Sequence, residues 1–286
     1  MSRMVAEGET IWDKLENIDR RILYLLIWIV VLSPLISPIG LPVSISPGTV
    51  AYYEAIEKLP PGSMVVVSFD FGLSALGELY PIAVATFHHL FSRPVKFAII
   101  ATWNEGPIVA KMIIDKLNPE QTYHKVYGED WIFLGWAPGG EQAMAALGRD
   151  IWGTITKDYI YKKPVSQYPI MQHLKSAKDV DILISLETGT PGADEWVRQW
   201  WEPYHVPMLI ACIGVMAPTV APYVQAGQCL GLLPGLRAGA EYEKLLGRPG
   251  LATAAADAIS TSHILVLAFV IIGNIGYFAK RRRRME

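Results

Sequence analysis

The side chains of this 286-residue chain that could do chemistry sit mostly at the ends of apolar runs. Asp70 closes Met64-Val65-Val66-Val67-Ser68-Phe69-Asp70, Glu187 follows Val180-Asp181-Ile182-Leu183-Ile184-Ser185-Leu186, and Cys212 closes Pro207-Met208-Leu209-Ile210-Ala211-Cys212. A thiol at such a place is a candidate nucleophile, and a carboxyl there a candidate general acid or base. Cys212, Asp70 and Glu187 are therefore the catalytic set of an enzymatic reading. The strand-to-helix turn that exposes a nucleophile wants Gly two places before it and two after. Gly214 is present, but Ile210 stands in the other place, and His205 precedes the thiol where a partner imidazole would follow it. Cys212 reads more simply as a buried thiol, and Cys229 is its one possible disulfide partner. Asp70 could pair with Glu78, or ring a cation with Glu187 and Asn104, yet no spacing rule demands either, and helix-capping carboxylates give the plainer account. The six histidines show no metal-ligand spacing, so no metal is expected, and the cofactor is unknown because no motif names one.

Three loops offer backbone chemistry instead. Asn104-Glu105-Gly106-Pro107, Ala137-Pro138-Gly139-Gly140 and Thr188-Gly189-Thr190-Pro191-Gly192 each stand between an apolar run and a helix-like stretch. Free N–H groups at helix starts, with hydroxyls beside them, can hold a small anionic ligand. The ligand-binding candidates are Asp70, Asn104, Glu105, Thr188, Gly189 and Thr190. Without a Lys and the Walker spacing, nothing marks the loops as specific for a nucleotide.

The elements that must position these groups alternate. Strand-like runs at 64–70, 95–102, 131–134, 180–186 and 207–212 are separated by helix-like stretches at 73–90, 107–117, 140–147 and 193–201, with a further one at 49–59. Strands apolar nearly throughout, joined by helices, imply a parallel sheet covered on both faces. The expected fold is a three-layer α/β sandwich of about five parallel strands, flavodoxin-like or Rossmann-like, whose crevice lies at the carboxyl ends of the strands. Residues 60 to 215 resemble flavodoxin-like and glutaminase-like α/β domains at this level, a likeness that implies no active site. Gly148 to Pro169 is irregular and reads as an excursion or lid. The stretch after Cys212 is dense in small residues, and Gly231, Gly235 and Gly239 are its candidate assembly positions, either between subunits or within the chain.

Composition sets the surroundings. Hydrophobic residues make up 51% of the chain and charged ones 18%, with a net charge of −2, which excludes a disordered chain and offers no field for nucleic acid. Two uncharged runs, 22–43 and 258–279, are long enough to span a bilayer, flanked by Arg20-Arg21 and by Lys280-Arg281-Arg282-Arg283-Arg284. The positive-inside rule then places both termini in the cytoplasm of a two-pass cell-membrane protein. The expected order is a cytoplasmic amphipathic segment 1–21, a transmembrane segment 22–43, an extracytoplasmic α/β domain 44–257, a second transmembrane segment 258–279 and a basic tail 280–286. Pro34 and Pro38 predict that the first helix kinks or ends near Ser33. Expected partners are the lipid bilayer, further copies of the chain or other membrane proteins, and a small anionic ligand. The function expected is non-enzymatic, in ligand binding or in assembly of a membrane complex; the alternative is a membrane-anchored hydrolase or transferase.

Overall fold

The computed structural model describes residues 19–283. The amphipathic segment expected over 1–21 lies almost wholly outside them, as does the end of the basic tail. The chain divides into two compact units, Pro42–Thr253, and Met1–Leu41 together with Ala254–Glu286.

In the larger unit, helix α2 (Pro47–Glu57; α1 belongs to the terminal unit) precedes strand β1 (Met64–Asp70), α3 (Leu76–Ser92), β2 (Lys96–Ala101), α4 (Gly106–Leu117), β3 (Trp131–Trp136) and α5 (Glu141–Arg149). Then follow β4 (Ile182–Glu187), α6 (Ala193–Trp196, running on through a π-helical turn, Val197–Trp201), β5 (Met208–Cys212), α7 (Ala217–Gln225), β6 (Cys229–Pro234) and α8 (Gly235–Leu245). The strands form one six-stranded parallel sheet in the order β3-β2-β1-β4-β5-β6. This is the Rossmann-like order of two βαβαβ halves, and it differs from the flavodoxin-like alternative.

Side chains alternate across the sheet. Val65, Val67 and Phe69 face a core with α2, α3, α4 and α8, in which Phe87, Phe91 and Phe97 pack edge-on or tilted. Val66 and Met64 face the opposite layer, where Met144 of α5 and Trp196 and Trp200 of α6 are buried. Each of these aromatic side chains contributes about 1.5–3 kcal/mol by leaving water.

The sixth strand corrects the expectation of about five. Cys229–Pro234 sits in the small-residue stretch, and the reason for those residues is intramolecular. A Cβ on Gly231 would run into the backbone of Tyr52, one on Gly239 would stand 2.8 Å from Ile82 Cγ1, and one on Gly235, at φ +68°, would stand 2.8 Å from Glu78 Oε2. The three candidate assembly glycines are therefore spent on contacts inside the domain. Both thiols are free, so the Cys212–Cys229 disulfide does not form here. The irregular excursion is organised by buried Asp158, which accepts from the Tyr127 hydroxyl at 2.8 Å, the Tyr168 hydroxyl at 3.0 Å and the N–H groups of Ile160, Tyr161 and Lys163.

The terminal unit contains α1 (Arg20–Ile36) and most of α9 (Leu251–Arg283). Among the described residues one helix, spanning Leu251–Phe278, is long and apolar enough to cross a membrane. At 17 residues α1 reaches about 25 Å, short of the roughly 30 Å hydrocarbon layer. It runs through Pro34 rather than stopping near Ser33. The carbonyl of Val30, left without its helical donor by Pro34, accepts from Thr261 Oγ1 at 3.3 Å. Buried Asp257 takes the N–H groups of Ile39, Gly40 and Leu41 at 2.8, 2.7 and 3.0 Å.

Candidate functional site

The strand order reverses between β1 and β4, and a parallel sheet opens a crevice at such a point beyond the carboxyl ends of its strands. Both strands end on the same pattern, a serine, an apolar residue and an acid: Ser68-Phe69-Asp70 and Ser185-Leu186-Glu187. A strand places residues two apart on one face, and the register sets Ser68 beside Ser185 and Asp70 beside Glu187. Two polar pairs thus make a square in an otherwise apolar sheet, on the side facing α6. Cys212 pairs with Glu187 from the other flank.

The two acids have opposite surroundings. Asp70 accepts from Ser68 Oγ and Thr102 Oγ1, each at 2.5 Å, from Ser185 Oγ at 2.8 Å and from Trp196 Nε1 at 2.7 Å. Burial pushes its carboxyl up while these donors hold it down. Glu187 is 1% exposed, and its Oε2 is the one buried carboxylate oxygen among the described residues with no hydrogen-bond partner. Burial first, and then the charge of Asp70, push the Glu187 carboxyl up to about 9. Both carboxyls are thus raised, Asp70 by burial against its four donors and Glu187 by burial and by Asp70, so the pair resists carrying two charges at once. The Glu187 Oε2 is turned toward Gly192, under the Thr188–Gly192 loop, where a Cβ could not fit.

Cys212 is fully buried, and burial together with Glu187 pushes its thiol up to about 12. Cys229 is likewise pushed up to about 12 by burial. Burial of this kind disfavours the thiolate. Both oxygens of Asp70 are met by internal donors.

The remaining candidates stand around the rim. Trp103 and Asn104 are exposed, Glu105 is half-buried, Thr188 and Gly189 are half-buried and Thr190 is exposed. Glu105 reaches back across the edge, its Oε2 accepting the Leu73 N–H at 2.8 Å ahead of α3. Glu195 Oε2 accepts the Gly192 N–H at 2.8 Å, and Glu78 Oε2 the Gly214 N–H at 2.9 Å. Three N–H groups that could have met an anion are thus met by the chain's own carboxylates. Glu78 and Asp70 belong to different hydrogen-bond sets and do not form the carboxylate pair considered from sequence. No group of three His, Cys, Asp or Glu side chains converges to hold a metal ion among the described residues.

Sequence reasoning missed Trp196, Ser68, Ser185 and Thr102 as partners of Asp70. The repeated Ser-x-acid ending was the available signal, since a serine inside a buried apolar strand needs a polar neighbour on its own face. A separate concavity of about 320 Å³ is lined by Glu57, His88, His89, Arg93 and Arg248 among others, where α2, α3 and α8 end. There His89 bridges Glu57 and Tyr242, and burial lowers the basicity of both histidines.

No family model matches the chain, and no curated protein matches it in sequence. Among solved structures, a trehalose-6-phosphate synthase, OtsA, is similar at 9% identity with a TM-score of 0.30. That match covers 86% of this chain and 48% of the other, so the chain spans about half its length. The strand order itself, not this distant likeness, is what makes the fold Rossmann-like.

Proposed function

We propose that this chain is a two-pass membrane protein whose central α/β domain, residues 44–257, is held outside the cytoplasm and binds a small ligand at the β1/β4 edge without transforming it. The observation that carries the ligand site is the buried, unpartnered Oε2 of Glu187. An orphaned polar atom in a core costs about 1–3 kcal/mol, and here it lies at the one point of the sheet where the topology opens a crevice. Other buried carboxylates have structural work: Glu241 accepts from Ser46 N–H and Thr49 Oγ1, and Glu243 from the N–H groups of Gly250, Ala252 and Thr253. Glu187 Oε2 has none.

The anchoring rests on the apolar helix Leu251–Phe278 and, for orientation, on Arg20-Arg21 and the basic residues from Lys280 onward. Homo-oligomers or other membrane proteins remain partners under this proposal. The enzymatic alternative, a membrane-anchored hydrolase or transferase, would use Cys212, which is fully buried, or the strand-end carboxylates Asp70 and Glu187.

Native mass spectrometry of the full chain, extracted gently from its own membrane, tests the reading. We expect a stoichiometric small molecule on the wild type that is lost from Glu187→Gln while both still unfold cooperatively on heating. A wild-type protein carrying only lipid, or a bound molecule unaffected by that substitution, overturns the site. Protease digestion in sealed vesicles tests the topology: cleavage of the central domain is expected only from the side opposite the basic tail.

A further inference from the structure

We propose that the concavity where α2, α3 and α8 end is a second ligand site, separate from the β1/β4 edge, and that it takes a phosphate monoester through Arg93, Arg248 and His88.

The fold brings these groups together from three helix ends. One cavity of about 320 Å³ is lined by Glu57 at the end of α2, His88 and His89 near the end of α3, Arg93 just after it, and Arg248 after α8. Tyr53 stacks on the His89 ring, with 4.9 Å between centroids, and adds an aromatic wall. The volume is that of a small-molecule site, which begins at about 300 Å³.

The acceptors in this lining are already taken. Glu57 Oε1 accepts from Arg93 Nη1 at 2.9 Å and its Oε2 from His89 Nε2 at 3.0 Å, while the Tyr242 hydroxyl donates to His89 Nδ1 at 2.8 Å. Carbonyls at helix ends would repel an anion, but here they are met by the chain's own donors. Arg93 Nη2 donates to the Glu57 carbonyl at 2.6 Å, Ser92 Oγ to that of His88 at 2.7 Å and Lys125 Nζ to that of Arg93 at 2.8 Å. A cation entering the cavity finds no free carboxylate.

Donors, by contrast, are left over. Arg93 Nε is buried without a partner. Among the described residues the Arg248 side chain makes no hydrogen bond or ion pair, and His88, paired at Nδ1 with the Tyr123 hydroxyl, makes no bond at Nε2. Two guanidinium charges therefore face one carboxylate, and the lining is net positive. Burial first, and then the charges of Arg248 and Lys116, hold the His88 ring below its usual basicity, as a positive surrounding does to an imidazole. A phosphate monoester offers three terminal oxygens to three donor groups and supplies the missing negative charge, and guanidinium groups match such oxygens well.

Isothermal titration calorimetry on the full chain in uncharged detergent and phosphate-free buffer tests this with sn-glycerol 3-phosphate and sodium acetate. Arg248→Gln removes a charge whose side chain holds no contact in the fold, and Arg248→Lys restores the charge. We expect saturable glycerol 3-phosphate binding to the wild type, about tenfold weaker in Arg248→Gln and within about threefold in Arg248→Lys, with one melting temperature for all three. Histidine NMR gives a second readout: the His88 ring signal, assigned through His88→Gln, should shift as the ligand is added. Glycerol 3-phosphate also carries the headgroup of phosphatidic acid, so competition separates the sources. Displacement by phosphatidic acid in phosphatidylcholine nanodiscs supports a lipid headgroup as the ligand, and its failure supports a soluble ester. Acetate that binds as tightly as glycerol 3-phosphate overturns the phosphate. A wild type that does not bind glycerol 3-phosphate, or binding left unchanged by Arg248→Gln, overturns the site.

Discussion

Two acids at the ends of adjacent strands cannot both ionise cheaply when buried, and at the residue scale Asp70 and Glu187 differ in what meets them. Asp70 has donors from Ser68, Thr102, Ser185 and Trp196, whereas Glu187 has an orphan oxygen. Glu187 holds its proton to about pH 9 in the folded chain, while the ordinary glutamate value is 4.5. Between those values the unfolded chain binds fewer protons than the folded one, so this group's contribution to stability falls as pH rises. We expect wild-type melting temperature to decline relative to Glu187→Gln from pH 5 to pH 9, followed by circular dichroism; parallel curves would contradict the assignment of the proton. Asp70→Asn has the opposite logic, because an amide N–H2 would face donors. A loss of about 3 kcal/mol, or roughly 6–12 °C in melting temperature, is expected, and a change under about 0.5 kcal/mol would contradict the donor network.

At the scale of elements, carboxylates act as clasps across the chain. Glu241 fixes the start of α2 and Glu243 the start of α9, both from α8, and Asp257 holds the stretch after α1. Removing such a clasp leaves several N–H groups without an acceptor. Glu243→Ala should lower the melting temperature of the domain by more than a surface substitution such as Glu54→Ala, whose carboxylate meets only Lys58 at the surface. Close approach is the second device. Gly231→Ala puts a methyl group against the Tyr52 backbone, which cannot rotate aside, and should cost about 1–3 kcal/mol in denaturant titration. An unaffected midpoint would show that α2 can shift away from β6. The first five strands and most helices were legible from the apolar runs, because burial on both faces leaves a continuous hydrophobic signature. β6 was not, since its glycine answers a tertiary contact with α2 and carries no strand propensity of its own.

For the whole molecule, the unit Pro42–Thr253 has cores on both faces of its sheet and the caps that close its helices. Residues 42–253 expressed alone should be soluble and unfold cooperatively on heating. Aggregation of that fragment, or a non-cooperative melt, would mean that the terminal segments are required for the domain to fold. Separately, moving the basic residues 280–284 to the outer end of the second apolar run should disturb orientation if charge sets it, read by protease accessibility in sealed vesicles.

From sequence alone came the alternation that implies a parallel α/β sheet, the apolar terminal runs with their basic flanks, and the strand-end placement of Asp70, Glu187 and Cys212. These follow from local rules: side-chain period, helix length and the positions of charge. Only the tertiary structure decided the strand order, the sixth strand, and which acid is satisfied and which is orphaned. The fold turns Glu105, Glu78 and Glu195 each onto a backbone N–H, which the sequence did not announce. Of those three contacts only Glu195 to Gly192 is local in sequence. The others join residues 32 and 136 positions apart, and such partners exist only once the sheet has brought its strand ends together.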